Sequence, residues 1–113
     1  MITDVFCKIV KGELSSEGII YQDDDFIVKE DINPQAPVHF IIFPKKHVFG
    51  MHDATVDILG KMMVLADKVA QQLGVAEKGY RLIVNEGVHG GKLVPHLHIH
   101  LLGGKSLGSK IFK

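Results

Sequence analysis

The chain has 113 residues, 46% hydrophobic and 23% charged, which is the composition of one folded domain and excludes a disordered chain. Thirteen basic side chains balance thirteen acidic ones, so the positive excess that binding to nucleic-acid phosphates demands is missing. One cysteine, Cys7, excludes an internal disulfide and points to a reducing, cytoplasmic setting, and no apolar run nears the roughly 18 residues of a membrane span.

In chain order, Met1 to Lys11 interleaves charges with apolar residues, so it lacks the apolar core of a secretory leader. Val5, Phe6, Ile9 and Val10 recur at helical spacing and predict a short helix ending near Gly12. Gly18–Gln22 and Phe26–Asp31 read as strands joined by a turn at Asp23-Asp24-Asp25. Residues 33–37 hold two prolines and read as a loop, and Val38–Phe43 reads as a strand stopped by Pro44. Asp53 or Thr55 can cap a long helix whose apolar stripe runs from Ile58 to Leu73, with Gly74 as its stop.

Tyr80–Asn85 is predicted as a strand, Glu86–Lys92 as a glycine-rich loop and His96–Leu102 as the last strand. The tail 105–113 shows no periodicity. The sum is a single α+β domain over 1–113, with about five mainly antiparallel strands, one long helix and one short one. The expected layout puts the helices on one face of the sheet and the histidine-bearing surface on the other.

Seven histidines are spread along the chain, and three of them, His96, His98 and His100, alternate with Leu97, Ile99 and Leu101. A period of two puts the imidazoles on one sheet face and the apolar residues on the other. Three rings packed merely as structure would have to satisfy up to six ring nitrogens locally. Along a straight strand, residues two apart are about 6.5–7 Å apart and residues four apart about 13 Å. All three rings therefore do not converge easily on one ion, and a metal site would need His39 or His89 as well. A catalytic row uses the spacing better, with the central imidazole attacking an electrophile while its neighbours meet the oxygens on either side. A phosphorus centre, rich in oxygens that accept N–H donors, suits such a row. The glycine loop upstream could add backbone donors.

The run His96-Leu97-His98-Ile99-His100-Leu101-Leu102 resembles the motif of the histidine-triad (HIT) superfamily. The segments Asp31–His39, Pro44-Lys45-Lys46-His47, Gly79-Tyr80-Arg81, Asn85-Glu86-Gly87 and His100–Gly104 are similar to its Hint-like nucleoside phosphoramidase branch. The resemblance implies hydrolysis of purine nucleoside 5′-phosphoramidates through a nucleotidyl-histidine intermediate. It also implies AMP or GMP as bound product, no cofactor, and a homodimer whose sheets join. Dinucleoside-polyphosphate hydrolysis and nucleotide-dependent regulation with little turnover are the alternatives.

By resemblance His98 is the nucleophile, His96 and His100 flank it, and His39 supports the nucleophilic ring. Asn85 and the Gly91 backbone resemble phosphate contacts, Asp31 the ribose ligand, and Val5, Phe6, Ile9 and Ile32 the base pocket. Three positions depart from the pattern. Lys29 stands where relatives often carry an aromatic residue. Leu93 replaces a serine of eukaryotic relatives, which leaves leaving-group protonation to a protonated His100 or to water. Some relatives bind zinc through paired N-terminal cysteines; Cys7 has no second cysteine, so no metal is expected. His47, after two lysines, reads as a turn or surface residue.

Overall fold

The computed structural model describes residues 4–14 and 17–109. Helix α1, Val5–Val10, is followed by strands β1, Ile19–Gln22, β2, Phe26–Glu30, and β3, Val38–Pro44. A single 3-10 turn at Met51–Asp53 leads into helix α2, Val56–Gln72, and strands β4, Arg81–Ile83, and β5, Ile99–Gly103, complete the fold. The strands form one antiparallel sheet in the order β1-β2-β3-β5-β4. No helix among the described residues is long and apolar enough to cross a membrane.

Local chemistry accounts for the boundaries. The Asp23 carboxylate accepts from the Asp25 and Phe26 N–H groups and closes the β1–β2 turn. Of the two candidate caps of α2, Thr55 serves: its hydroxyl accepts from the Ile58 N–H, while Asp53 belongs to the 3-10 turn. Asp4 caps α1 by accepting from the Cys7 N–H at 2.8 Å.

β5 is shorter than the sequence predicts. The β3–β5 ladder runs from Val38↔Gly103 to Ile42↔Ile99. Its next pair in register would be Phe43↔His98, and the one after it Leu97 opposite Pro44, which has no N–H to give. The chain leaves the ladder instead, with the Leu97 N–H donating to the Val48 carbonyl and the His96 ring taking the Pro44 carbonyl. Only His100 of the three histidines therefore lies in regular strand. The tail also finds a place: the Arg81 guanidinium donates to the Leu107 and Gly108 carbonyls, and residues 110–113 lie outside the described residues.

The alternation of faces holds through the irregular stretch. Leu97, Ile99 and Leu101 join Val28, Ile42 and the buried stripe of α2 (Met62, Ala66, Val69, Ala70) in the main core. The histidines face the other way, beside a smaller cluster of Phe6, Ile27, Ile41 and Phe43. Here the expected layout is corrected, because α1 lies on the histidine face and the helices flank opposite sides of the sheet. α2 cannot reach Ile27, Ile41 and Phe43 from its side, and Phe6 of α1 covers them, stacked on Phe43 at 4.5 Å between ring centroids.

Candidate active site

On the histidine face a cavity of about 310 Å³ is lined by Val5, Phe6, Ile9, Lys29, Glu30, Asp31, Ile32, Ile41, Asn85, Gly91, Leu93, Val94, His98 and His100. Every nucleotide contact expected by resemblance is among them. A larger groove, about 630 Å³, lies between α2 and the β1–β2 turn, but it contains no histidine. His39 and His96 do not line the cavity; they stand behind the rings that do.

Donors and acceptors fix the state of each ring. A carbonyl can only accept, so His98 donates from Nδ1 to the His96 carbonyl at 2.7 Å. Burial is the largest influence on His98 and pushes its pKa below the usual imidazole value, leaving the ring neutral. Its Nε2 then carries a free lone pair, and that atom is not enclosed by the protein.

His39 accepts at Nδ1 from the Gln35 N–H at 3.0 Å, which leaves its proton on Nε2, 2.9 Å from His100 Nδ1 and 3.4 Å from the Asp31 carboxylate. His100 accepts that proton's hydrogen bond, so its own proton sits on Nε2. The result is a lone pair on His98 beside an N–H on His100, the two rings 5.1 Å apart. An electrophilic centre with acceptor oxygens fits between them.

Two expectations are corrected by this geometry. His39 orients His100, not the ring of His98: β3 pairs His39 with Leu102, two residues past His100, and the side chains meet diagonally. A protonated His100 is also unavailable in the free protein, since burial, His98 and His39 push its pKa down to about 4. It can still assist a leaving group as a neutral N–H donor. Leu93, 94% exposed, lines the cavity with no hydroxyl to offer.

The phosphate side has one surprise. Asn85 donates to the Gly90 carbonyl at 2.7 Å, which steadies the loop, but the Gly91 N–H is already donated to Val88. The loop must shift before that group can serve a ligand. Gly90 is obligatory, because a Cβ there would come within 2.1 Å of the Glu86 carbonyl.

His96 is a supporting residue. Its ring is fully buried, Nε2 donates to the Pro44 carbonyl at 2.8 Å and Nδ1 faces the Asp4 carboxylate at 3.2 Å. The sequence reading missed its companions. His47 is half-buried and engaged: its Nδ1 lies 3.0 Å from Asp4 and 3.2 Å from the Cys7 sulfur, and its buried Nε2 has no partner among the described residues.

Cys7 therefore does not stand alone. Donor atoms of Asp4, Cys7, His47 and His96 all lie within 4.8 Å of one another. One carboxylate, one thiol and two imidazoles form a set that zinc accepts, and these four residues could hold it. Bound there, an ion would tie α1 to the segments carrying His47 and His96. None of the four lines the cavity, so its contribution would be structural.

Comparisons with known proteins meet this geometry from outside. The HIT domain profile matches residues 13–107. The purine nucleoside phosphoramidase of Escherichia coli strain K12 is 46% identical over 107 residues, 92% of this chain and 89% of its own length. A solved HIT family hydrolase from Clostridium thermocellum superposes with a TM-score of 0.92 at 50% identity, over 99% of each chain. A histidine triad protein from Clostridium difficile superposes with 0.87 at 39% identity, over 94% of each. With the alternating histidines, the five-stranded sheet and these likenesses in agreement, the chain belongs to the HIT domain family.

Proposed function

We propose that this protein hydrolyses purine nucleoside 5′-phosphoramidates, with His98 as the nucleophile. The observation that carries the reading is the tautomer pair. The His96 carbonyl holds the His98 proton on Nδ1, so Nε2 can attack without a separate base, and His100 presents an N–H beside it. In the first step Nε2 bonds to phosphorus as the P–N bond breaks. The leaving nitrogen takes a proton from a water hydrogen-bonded beside the His100 N–H and departs as the free amine, and the hydroxide so formed is the water-derived nucleophile of the second step. The His98 ring becomes cationic, stabilised at Nδ1–H by the carbonyl. In the second step that hydroxide attacks phosphorus, the N–P bond breaks and the nucleoside monophosphate is released.

Asp31 suits the ribose, because its carboxylate can accept from two hydroxyls, and Val5, Phe6, Ile9 and Ile32 suit the base. Likeness to the E. coli phosphoramidase supports the choice of a P–N substrate. A homodimer extending the sheet is part of the same reading: β4 is an edge strand three residues long, with Val84 exposed beside it. The free thiol Cys7 suits the reducing cytoplasm, where nucleotides are abundant.

Turnover of adenosine and guanosine phosphoramidates, beside a dinucleoside polyphosphate, tests the function. The expected result is faster P–N cleavage, with a nucleotide adduct on the His98 peptide in rapidly quenched samples by mass spectrometry. Faster polyphosphate cleavage would reassign the substrate, and nucleotide binding with no turnover would leave a regulatory module. Light scattering at micromolar concentration should give twice the monomer mass.

A further inference from the structure

Lys29 is a polar residue of the cavity to which the reaction assigns no task. It lies in β2 two residues before Asp31, is only 7% exposed, and lines the cavity. Among the described residues no hydrogen bond or ion pair engages its ammonium group. Asp31, two residues further along, has its carboxylate beside His39 and His100 instead. The stem of Lys29 is buried while its ammonium stays accessible at the cavity wall, so a ligand acceptor in the cavity can take its hydrogen bonds.

The register says which part of a ligand that would be. Lys29 pairs with Ile41, and Ile41 pairs with His100, so Lys29 stands two interstrand spacings, roughly 10 Å, from the ring row. The lysine whose charge bears on His98 is Lys92, from the other side of the site. Lys29 is thus remote from the reacting phosphorus. With phosphorus at His98 and the ribose at Asp31, the base extends over Phe6, Ile9 and Ile41 and brings an edge toward Lys29.

We propose that Lys29 reads the base and selects 6-oxopurines, guanine and hypoxanthine, over adenine. This rests on the reading of the cavity as a nucleotide hydrolase site. A 6-oxopurine presents two adjacent acceptors, O6 and N7, to an ammonium donor. Adenine presents N7 beside an amino group, itself a donor, which opposes the charge. The aromatic residue common at this position in relatives could stack on either purine; a lysine discriminates.

The test compares kcat/KM for adenosine, guanosine and inosine 5′-phosphoramidates carrying the same amine. Guanosine and inosine substrates should both exceed adenosine by roughly tenfold. Lys29→Met should bring that ratio close to one, and Lys29→Arg should retain it. Should the Met variant fail to fold, Lys29→Gln, whose amide offers a donor and an acceptor, should flatten the ratio in its place.

Equal rates for the three bases in the unaltered protein would overturn the proposal, as would a ratio indifferent to loss of the lysine. Preference for guanosine without inosine would move recognition to the 2-amino group and away from Lys29. If no phosphoramidate is cleaved, the hydrolase reading fails by itself. Dissociation constants of AMP, GMP and IMP, measured by calorimetry on the same variants, then still decide the base-reading role.

Discussion

The two faces of the sheet solve opposite problems with the same five strands. One face closes under the 17 residues of α2 and buries only apolar side chains there, among them Val28, Ile42, Leu97, Ile99 and Leu101. The other has only the six residues of α1 for cover, and it encloses Asp4, Lys29, His39, His96 and His98. Burying that many polar groups is tolerable because nearly all are hydrogen-bonded and because the first face supplies the hydrophobic stabilisation. The comparison teaches a division of labour: every second residue from Leu97 to Leu101 works for stability, and the histidines between them work for chemistry.

Substitutions can break that division or sharpen it. His98→Ala should lower turnover at least roughly a thousandfold while circular dichroism and the thermal midpoint stay close to the parent, because the ring contributes the bond-forming atom. Equal losses of activity and stability would mean that the faces are not separable. Leu101→Ala, on the opposite face and fully buried, should cost about 3 kcal/mol in denaturant unfolding, with kcat kept in the fraction still folded.

Acid should act on the histidine face. His100 has its pKa held at about 4 by burial and its histidine neighbours, against about 6.5 in an unfolded chain. The unfolded state therefore takes up the proton first as pH falls. Stability is full above about pH 6.5 and is lost progressively toward pH 4, by on the order of 2 kcal/mol after allowance for partial exposure. Urea midpoints that stay level from pH 7 to pH 4.5 would contradict the assigned neutral ring. The smallest effect belongs to Thr55→Ala, which removes the cap of α2 and should cost about 1 kcal/mol of stability with turnover intact.

The helix-facing half was largely legible in the sequence, because its signals are periodic and local. Spacing alone located α2, and alternation assigned Leu97, Ile99 and Leu101 to the core. Alternation would also have added Ile41 to the cavity, had it been carried from His39 along β3. What stayed hidden is non-local. Cys7 and His47 are 40 positions apart and Asp4 and His96 are 92 apart, and no local pattern announces that they meet. The late start of β5 came from bonds of Leu97 and His96 to the Val48 and Pro44 carbonyls, and the placing of the tail from bonds of Arg81 to the Leu107 and Gly108 carbonyls. The tautomers of His39 and His100 followed only once the Gln35 N–H was seen to occupy one nitrogen.

The partner that fixes the reactive tautomer of His98 is a peptide carbonyl, two residues upstream. A side-chain partner could be erased by one codon change; this one cannot, because every amino acid carries the same oxygen. The protonation pattern of the nucleophile is thus inherited from the path of the main chain rather than from any particular neighbour. Variation at position 96 can tilt that oxygen or loosen it, but cannot delete it. The identity of the attacking atom is accordingly more robust to mutation than the affinity or selectivity of the cavity around it.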